Sequence, residues 1–228
     1  MSNSVIAVDG PSASGKSSVS RRVADRLGWV YVDSGSFYRG LTWKALQQVP
    51  SPLLAPEVER VMRTMTMDLF TDENAIRFTL DGVNPGDAIR GPAVREHVSA
   101  VAAMPAVRAW MVERFRSLTR FGSLVMEGRD IGTVVFPSTP FKFYLDADPE
   151  ERARRRQREI ADRESGVALS EVKQSLSRRD KADSTRTTAP LSVASDAQII
   201  ETTGLSIEDV VERIVAAVSD ECIVVKKI

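Results

Sequence analysis

Ser4-Val5-Ile6-Ala7-Val8-Asp9 runs straight into Gly10-Pro11-Ser12-Ala13-Ser14-Gly15-Lys16-Ser17, and this junction decides the fold. The first six residues form an apolar, β-branched run, the pattern of a buried strand. The next eight fit G-x-x-x-x-G-K-[ST] at every fixed position. Loops of this form turn consecutive backbone N–H groups onto phosphate oxygens, and their glycines permit the backbone angles and the close approach required. Lys16 is placed to bring a point charge to the β- and γ-phosphates, and the Ser17 hydroxyl to ligate Mg²⁺. Val19, Val23 and Leu27 then recur at i, i+4 and i+8. A helix therefore begins beside Ser17 and Ser18, with its dipole favouring an anion. The expected ligand is a nucleoside triphosphate.

Composition narrows the classes. The chain has 228 residues, enough for one full core with an insert. Lys plus Arg and Asp plus Glu each total 31, so the net charge is zero, which argues against a nucleic-acid-binding surface. No stretch reaches the roughly 18 apolar residues of a membrane span, and the chain enters its first strand with no signal-like segment. The single cysteine, Cys222, precludes an internal disulfide. A cytoplasmic setting is expected. The single histidine, His97, has no cysteine partners for zinc and reads as structural or surface. No interface stripe stands out, so a monomer is expected.

Along the chain, Gly28 is placed to end the first helix, and Trp29–Asp33 reads as a second strand, giving a βαβ unit with a parallel sheet. Asp33-Ser34-Gly35-Ser36 turns into a helix through Phe37, Leu41 and Ala45, with Tyr38-Arg39 in its first turn. Pro50, Pro52 and Pro56 end it and start the next. Residues 66–70 and 75–80 look like strands, Asp81-Gly82 is a hairpin-turn signal, and 83–90 is a candidate third strand. Together they predict a small antiparallel insert, the alternative being a decorative hairpin. A helical region from Gly91-Pro92, broken near Pro105, leaves Ser99 and Arg108 off its apolar stripe. Ser123–Glu127 is a strand leading into Gly128-Arg129-Asp130-Ile131-Gly132-Thr133. Ligands lie at the carboxyl ends of strands in open α/β sheets, so Arg129-Asp130 is a candidate site before it is a surface ion pair.

Residues 142–146 and 197–200 supply the remaining strands. Between them, residues 151–186 carry nine arginines and two lysines against seven carboxylates, divided by Gly166, with Ser170 as a candidate helix cap. A solvated charged face has this composition. In a protein that handles several phosphates, a mobile basic lid that includes Arg154, Arg155, Arg158, Arg178, Arg179 and Arg186 explains it better. Ser206 is placed to cap a last helix. The motif alone does not separate kinases from GTPases or ATPase motors. The asparagines, Asn3, Asn74 and Asn84, are none of them followed by Lys, so the guanine-reading Asn-Lys-x-Asp is absent. Motors need a longer chain and a clear Walker B pair. A compact nucleotide domain with an insert and an arginine-rich lid is how a small-molecule kinase must be built, because water has to be excluded while phosphate moves.

Four segments then carry a resemblance. Gly10–Ser17, Asp33-Ser-Gly-Ser-Phe-Tyr-Arg39, Glu127–Pro137 and Arg179–Asp183 with Arg186–Leu191 resemble the bacterial cytidylate kinases, in order along nearly the whole chain. The resemblance implies a three-layer α/β P-loop fold of the nucleoside monophosphate kinase type. It has a five-stranded parallel sheet, an antiparallel β insert in the acceptor-binding part and an α-helical lid. One domain would result: core at 1–34, 91–150 and 187–228, acceptor-binding part at about 35–90, lid at about 151–186. The implied reaction is ATP + CMP (or dCMP) giving ADP + CDP, with Mg²⁺, on small molecules with no nucleic acid or membrane. Gly10, Pro11, Ser12, Ala13, Ser14, Gly15, Lys16, Ser17, Ser18 and Arg155 would bind ATP, Ser17 also the metal. Ser34, Arg39, Arg129 and Arg186 would surround the acceptor phosphate. Ser99, Arg108 and Asp130 would meet the cytosine edge, and Arg179 and Asp183 the ribose or the space between phosphates. Lys16, Arg129, Arg179 and Arg186 would carry catalysis. Glu127 stands where aspartate is as readily expected, and its role stays open. So does that of the apolar tail 223–228. A kinase for UMP or another small acceptor, or a nucleotide-binding module without turnover, are the rival readings.

Overall fold

The computed structural model describes residues 3–161 and 167–225. Gly166, expected to divide the arginine-rich segment, and tail residues 226–228 lie outside the described residues. The strands are β1 (Val5–Asp9), β2 (Val30–Asp33), β3 (Met67–Asp72), β4 (Ala75–Leu80), β5 (Leu124–Gly128), β6 (Phe141–Asp146) and β7 (Gln198–Glu201). They form one seven-stranded sheet in the order β3-β4-β2-β5-β1-β6-β7. Its β2-β5-β1-β6-β7 section is the expected five-stranded parallel sheet. The helices are α1 (Lys16–Leu27), α2 (Ser34–Gln48), α3 (Ala55–Thr64), α4 (Pro92–Ala103), α5 (Pro105–Ser117), α6 (Pro149–Ala161), α7 (Leu169–Thr185) and α8 (Ile207–Val225).

β1 is buried along its whole length and supplies both faces of the sheet. Val5 and Ala7 join Phe37 and Leu41 of α2 and Met111 and Phe115 of α5. Ile6 and Val8 join Val19 and Val23 of α1 and Val211 and Ile214 of α8. The period of two along a strand delivers alternate side chains to opposite faces, so a continuous apolar run is what a covered parallel strand requires. Three layers follow. An edge-to-face contact of Phe37 with Phe115, 5.3 Å between ring centres, fixes α2 against α5. Gly28 ends α1 with a positive φ, and Ser206 Oγ accepts from the Asp209 N–H at the start of α8, both as expected.

Residues 66–90 follow expectation in part. Glu73-Asn74, both at positive φ, joins the two expected strands as the tip of the β3–β4 hairpin. Asp81-Gly82 does turn the chain, but Leu80 and Val83 make only an isolated bridge, and Gly86–Arg90 is a 3-10 turn where a third strand was expected. Pro85 and Gly86 in that run disfavour a ladder. Nor is the hairpin a separate small sheet: β4 joins β2 through Tyr31 and Ala75 and extends the main sheet. Ser170 is not a cap either, because α7 already starts at Leu169 and its N-cap is Ala168. His97 is structural, with Nε2 2.6 Å from Ser51 Oγ.

The carboxyl ends of β1, β2 and β5 lie side by side, since Asp9 registers with Gly128 and Asp33 with Glu127. The Gly10–Ser17 loop, the start of α2 and Arg129-Asp130 therefore emerge at one end of the sheet. Gly10 makes the first turn there at φ 146, and a Cβ on it would lie 2.1 Å from the Leu145 carbonyl oxygen of β6. That contact is with backbone and cannot be relieved by a rotamer. Gly10→Ala should lose about 2 kcal/mol or more of stability in urea unfolding. Gly82→Ala, also at positive φ but with nothing within 4 Å, should lose only about 1 kcal/mol. Equal losses would show that strain at φ, and not the approach to β6, controls the Gly10 site.

Candidate active site

This end of the sheet opens into a cavity of about 280 Å³. Its walls come from the Ser12–Ser18 loop and turn, the start of α2 (Ser34, Arg39), Ser99 of α4, Arg108 of α5, Glu127–Asp130 after β5, and Arg179, Asp183 and Arg186 from α7 and its end. All of the expected acceptor residues meet there.

The loop is already shaped for an anion. Gly15 caps α1 at φ 93 with no side-chain cap, so the first-turn N–H groups stay available to phosphate. Lys16 folds back and donates to the Pro11 carbonyl oxygen, with Ser14 Oγ at 3.4 Å. Burial, reinforced by the Arg129 charge, pushes its ammonium down to about pKa 7 against the pull of Glu127 and Asp9. Arg179 is pushed down to about 10 by burial and by Arg129. Among the described residues neither Lys16 nor Arg179 forms an ion pair with a carboxylate, whereas Arg39, Arg108, Arg129 and Arg186 do.

Those pairs hold the acceptor side in place. Arg39 donates to Asp33 Oδ2 at 2.6 Å. Burial acts to raise Asp33, but Arg39, Arg90 and the Ser36 N–H outweigh it and hold its pKa below the usual range. Arg129 bridges the two halves, donating to Ser12 Oγ at 2.7 Å and to Asp183 Oδ2 at 2.9 Å. Asp130 accepts from Arg108, and from Arg186 at 3.4 Å. Burial raises the Asp130 pKa despite these cations. Ser34 donates to the Glu127 carbonyl at 2.6 Å, and Ser99 lines the cavity wall. The Nε groups of Arg39, Arg108 and Arg179 are buried without an acceptor in the protein. Donors of that kind are satisfied by an ordered water or by a ligand.

Glu127 faces the loop. Its Oε1 accepts from the Tyr31 hydroxyl at 2.5 Å, and burial together with the Asp33 charge raises its pKa, countered in part by Lys16 and a hydrogen bond with Ser17. Asp33, Glu127 and Ser17 thus gather hard oxygen donors beside the phosphate loop, a set that suits Mg²⁺, which takes one or two carboxylates and completes its shell with waters and substrate phosphates.

Sequence reasoning missed the latch across the loop. Asp180 Oδ1 accepts from the Ser12 N–H at 3.2 Å, and Arg152 donates to Asp180 and to the Ser12 carbonyl. Val172 and Leu176 of α7 pack with Ala153 of α6 and Ala13 of the loop. No local spacing connects residues 12, 152 and 180. Arg155 is beside Gly15 but is committed to Glu151 (3.0 Å) and to Thr202 (2.9 and 2.8 Å); Arg156, not Arg155, lines the cavity. Arg154, Arg158 and Arg178 are exposed and away from it.

Comparison with known proteins decides the family. The family model described as cytidylate kinase matches residues 6–220. The chain belongs to the cytidylate kinase family. It is 43% identical over 215 residues to a cytidylate kinase of Pelotomaculum thermopropionicum, covering 94% of this chain and 95% of the relative. To a cytidylate kinase of Geobacillus kaustophilus it is 44% identical over 215 residues, covering 94% and 96%. At the level of fold, it superposes on an uncharacterized protein of Eubacterium ventriosum with a TM-score of 0.50 at 11% identity, over 95% of this chain and 99% of that one. The cytidylate kinase model thus spans every candidate site residue, from Gly10 to Arg186.

The depressed Lys16 pKa has a measurable consequence. A pKa of about 7 would leave Lys16 largely neutral at pH 8 and charged at pH 6 in the free protein. Triphosphate favours the charged form. A non-hydrolysable ATP analogue should therefore take up a proton on binding at pH 8, a contribution that vanishes at pH 6. Titration calorimetry in two buffers of different ionisation enthalpy measures it. Buffer-independent heats at pH 8 would show Lys16 to be charged before binding.

Proposed function

We propose that this chain, as a cytidylate kinase, transfers the γ-phosphoryl group of ATP to CMP or dCMP, forming ADP and CDP or dCDP. The observation that carries the reading is the buried carboxylate of Asp130, held by Arg108 and Arg186 on the cavity wall with Ser99. A carboxylate accepts from the cytosine N4 amino group, which uracil lacks. Asp130 has lone pairs to spare beyond its two arginine contacts. Arg108 and Ser99 would complete the base edge, and Asp183 would meet the ribose.

The phosphates would enter by exchange. Arg39, Arg129 and Arg186 are held by Asp33, Asp183 and Asp130, and an acceptor phosphate offers each guanidinium fork a better-matched partner. The attacking group is a phosphate oxygen already mostly ionised at pH 7, so no general base is needed. Lys16 with Arg129, Arg179 and Arg186 would stabilise charge that develops on the transferring group. Mg²⁺ would be held by Ser17 and Glu127 and would neutralise charge on the ATP phosphates. Residues 151–186 would act as the lid that excludes water, over an acceptor part at 35–90 and a core formed by the remainder. No helix among the described residues is long and apolar enough to cross a membrane. With zero net charge and a single cysteine, a cytoplasmic monomer that acts on small molecules without nucleic acid or membrane fits best.

A panel of CMP, dCMP, UMP, AMP and GMP with ATP–Mg²⁺ in an ADP-release assay tests the reaction. CMP or dCMP should lead; a lead for AMP or GMP sinks the reading. Asp130→Ala should raise KM for CMP and narrow the CMP-over-UMP preference by roughly 1–3 kcal/mol, the worth of a good base-edge contact. Arg129→Ala should depress both substrates by similar factors, because both carry the same phosphate.

A further inference from the structure

Asp130 occupies the N-cap position of the turn Ile131–Val135, yet its carboxylate makes no hydrogen bond to that turn. An aspartate at such a position ordinarily accepts from the first free N–H groups that follow it. Here another residue accepts them. Asp9 Oδ1 takes the Ile131 N–H at 2.9 Å, and Asp9 Oδ2 takes the Gly132 N–H at 2.8 Å. Asp9 ends β1, is 6% exposed, and has no part in the chemistry described above.

We propose that Asp9 is a positioning residue for acceptor-base discrimination: it caps the 131–135 turn from the neighbouring strand, so that the Asp130 carboxylate is free of the backbone and aimed at the base. The inference rests on the reading of Asp130 as the group that meets cytosine. The geometry is restrictive. Two parallel N–H donors need two acceptors, which a carboxylate supplies and an amide does not. An asparagine would turn one NH₂ toward an N–H. Asp9 registers with Gly128 on β5, so the cap is fixed to the strand from which Arg129 and Asp130 emerge. From below, the turn rests on β1 and β6, since a Cβ on Gly132 would lie 3.2 Å from the Lys142 side chain and 3.5 Å from Ala7. The turn is held from two sides, and Asp130 has one direction left. With the cap removed, the Ile131 and Gly132 N–H groups become buried donors without a partner, and Asp130, at the N-cap position, carries a side chain of the kind that accepts from them. The base contact would then be exchanged for a local cap.

Asp9 also bears on Lys16 by charge, which gives a competing role with a different signature. The test measures kcat/KM for CMP and UMP, and KM for ATP, in wild type, Asp9→Asn, Asp130→Ala and the double variant. Asp9→Asn should narrow the CMP-over-UMP ratio by about 10-fold, roughly the loss of one charged hydrogen-bond contact, mainly through KM for CMP. KM for ATP should stay within about 2-fold, and Asp9→Asn should change the ratio by less than about 2-fold once Asp130 is alanine, because linked residues are non-additive. If Asp130→Ala narrows the ratio and Asp9→Asn does not, the proposal for Asp9 is wrong while the reading of Asp130 stands. If Asp9→Asn weakens CMP, UMP and ATP alike, Asp9 acts through Lys16, and the proposal is equally wrong. An unchanged ratio in Asp130→Ala removes the reading of Asp130 and this inference with it. Should Asp9→Asn not yield folded protein, Asp9→Ser, which keeps one acceptor and removes the buried charge, is read in the same way.

Discussion

Nine cations line one cavity of about 280 Å³, among them Lys16, Arg39, Arg108, Arg129, Arg179 and Arg186, and the rest of the structure is arranged to let these six coexist there. Like charges this close in a partly dry space repel strongly, and each also loses hydration. Four are offset by carboxylates: Arg39 by Asp33, Arg129 by Asp183, and Arg108 and Arg186 by the shared Asp130. Among the described residues Lys16 and Arg179 lack such a partner, and they are the two cations whose pKa falls to about 7 and about 10. Folding therefore leaves an electrostatic deficit centred between the loop and α7. A polyphosphate with its metal is the kind of ligand that removes it.

The carboxylates have a second effect. Each holds an arginine in a defined place before substrate arrives, so little side-chain entropy remains to be lost when phosphate replaces it. Arg129 shows this best, since its fork already spans the Ser12 hydroxyl on one side and Asp183 on the other. Asp183 belongs to α7, and the Asp180–Arg152–Ser12 contacts tie the same helix to the loop. The phosphate loop and the arginine-rich segment are thus connected through polar groups that a bound nucleotide would also address.

Much of this was legible because it is local. The β1–loop–α1 unit is encoded within residues 4–27, where strand period, glycine spacing and helix period follow one another without conflict. Arg129 and Asp130 could be singled out because they follow an apolar strand. Two kinds of feature were not legible. The third strand expected at 83–90 was not realised, because strand propensity at Val83 gave way to the Pro85-Gly86 turn. Contacts such as Ser12 with Asp180, 168 residues apart, depend on how the layers close, and no spacing rule reports them. Arg155 and Arg156 illustrate the same limit. Both stand in one charged helical run, and only the packing of α6 against Thr202 decides which is tethered and which faces the cavity.

The placement of Arg129 and Asp130 explains how adjacent residues reach different parts of one cavity. The chain leaves β5 with Gly128 too crowded for a Cβ, which would lie 2.7 Å from the Ile131 side chain and 2.8 Å from Ser34 Oγ. Arg129 then turns toward the loop and Asp183, while Asp130, at φ −151 and ψ 26, faces Arg108 and Arg186. A regular strand would also send the two side chains to opposite faces, but it would bury one of them in a core. The turn after the strand keeps both at the cavity. Its five residues have no room to slide along β5, because Ile131 and Gly132 are bonded to Asp9 of the strand that also launches the phosphate loop. The separation between Arg129 and Asp130 is therefore set by backbone hydrogen bonding to β1. The same strand launches the Gly10–Ser17 loop. Loop, Arg129 and Asp130 are referred to one rigid element, and this is how a cavity assembled from α2, α5, α7 and the end of β5 keeps its parts in register.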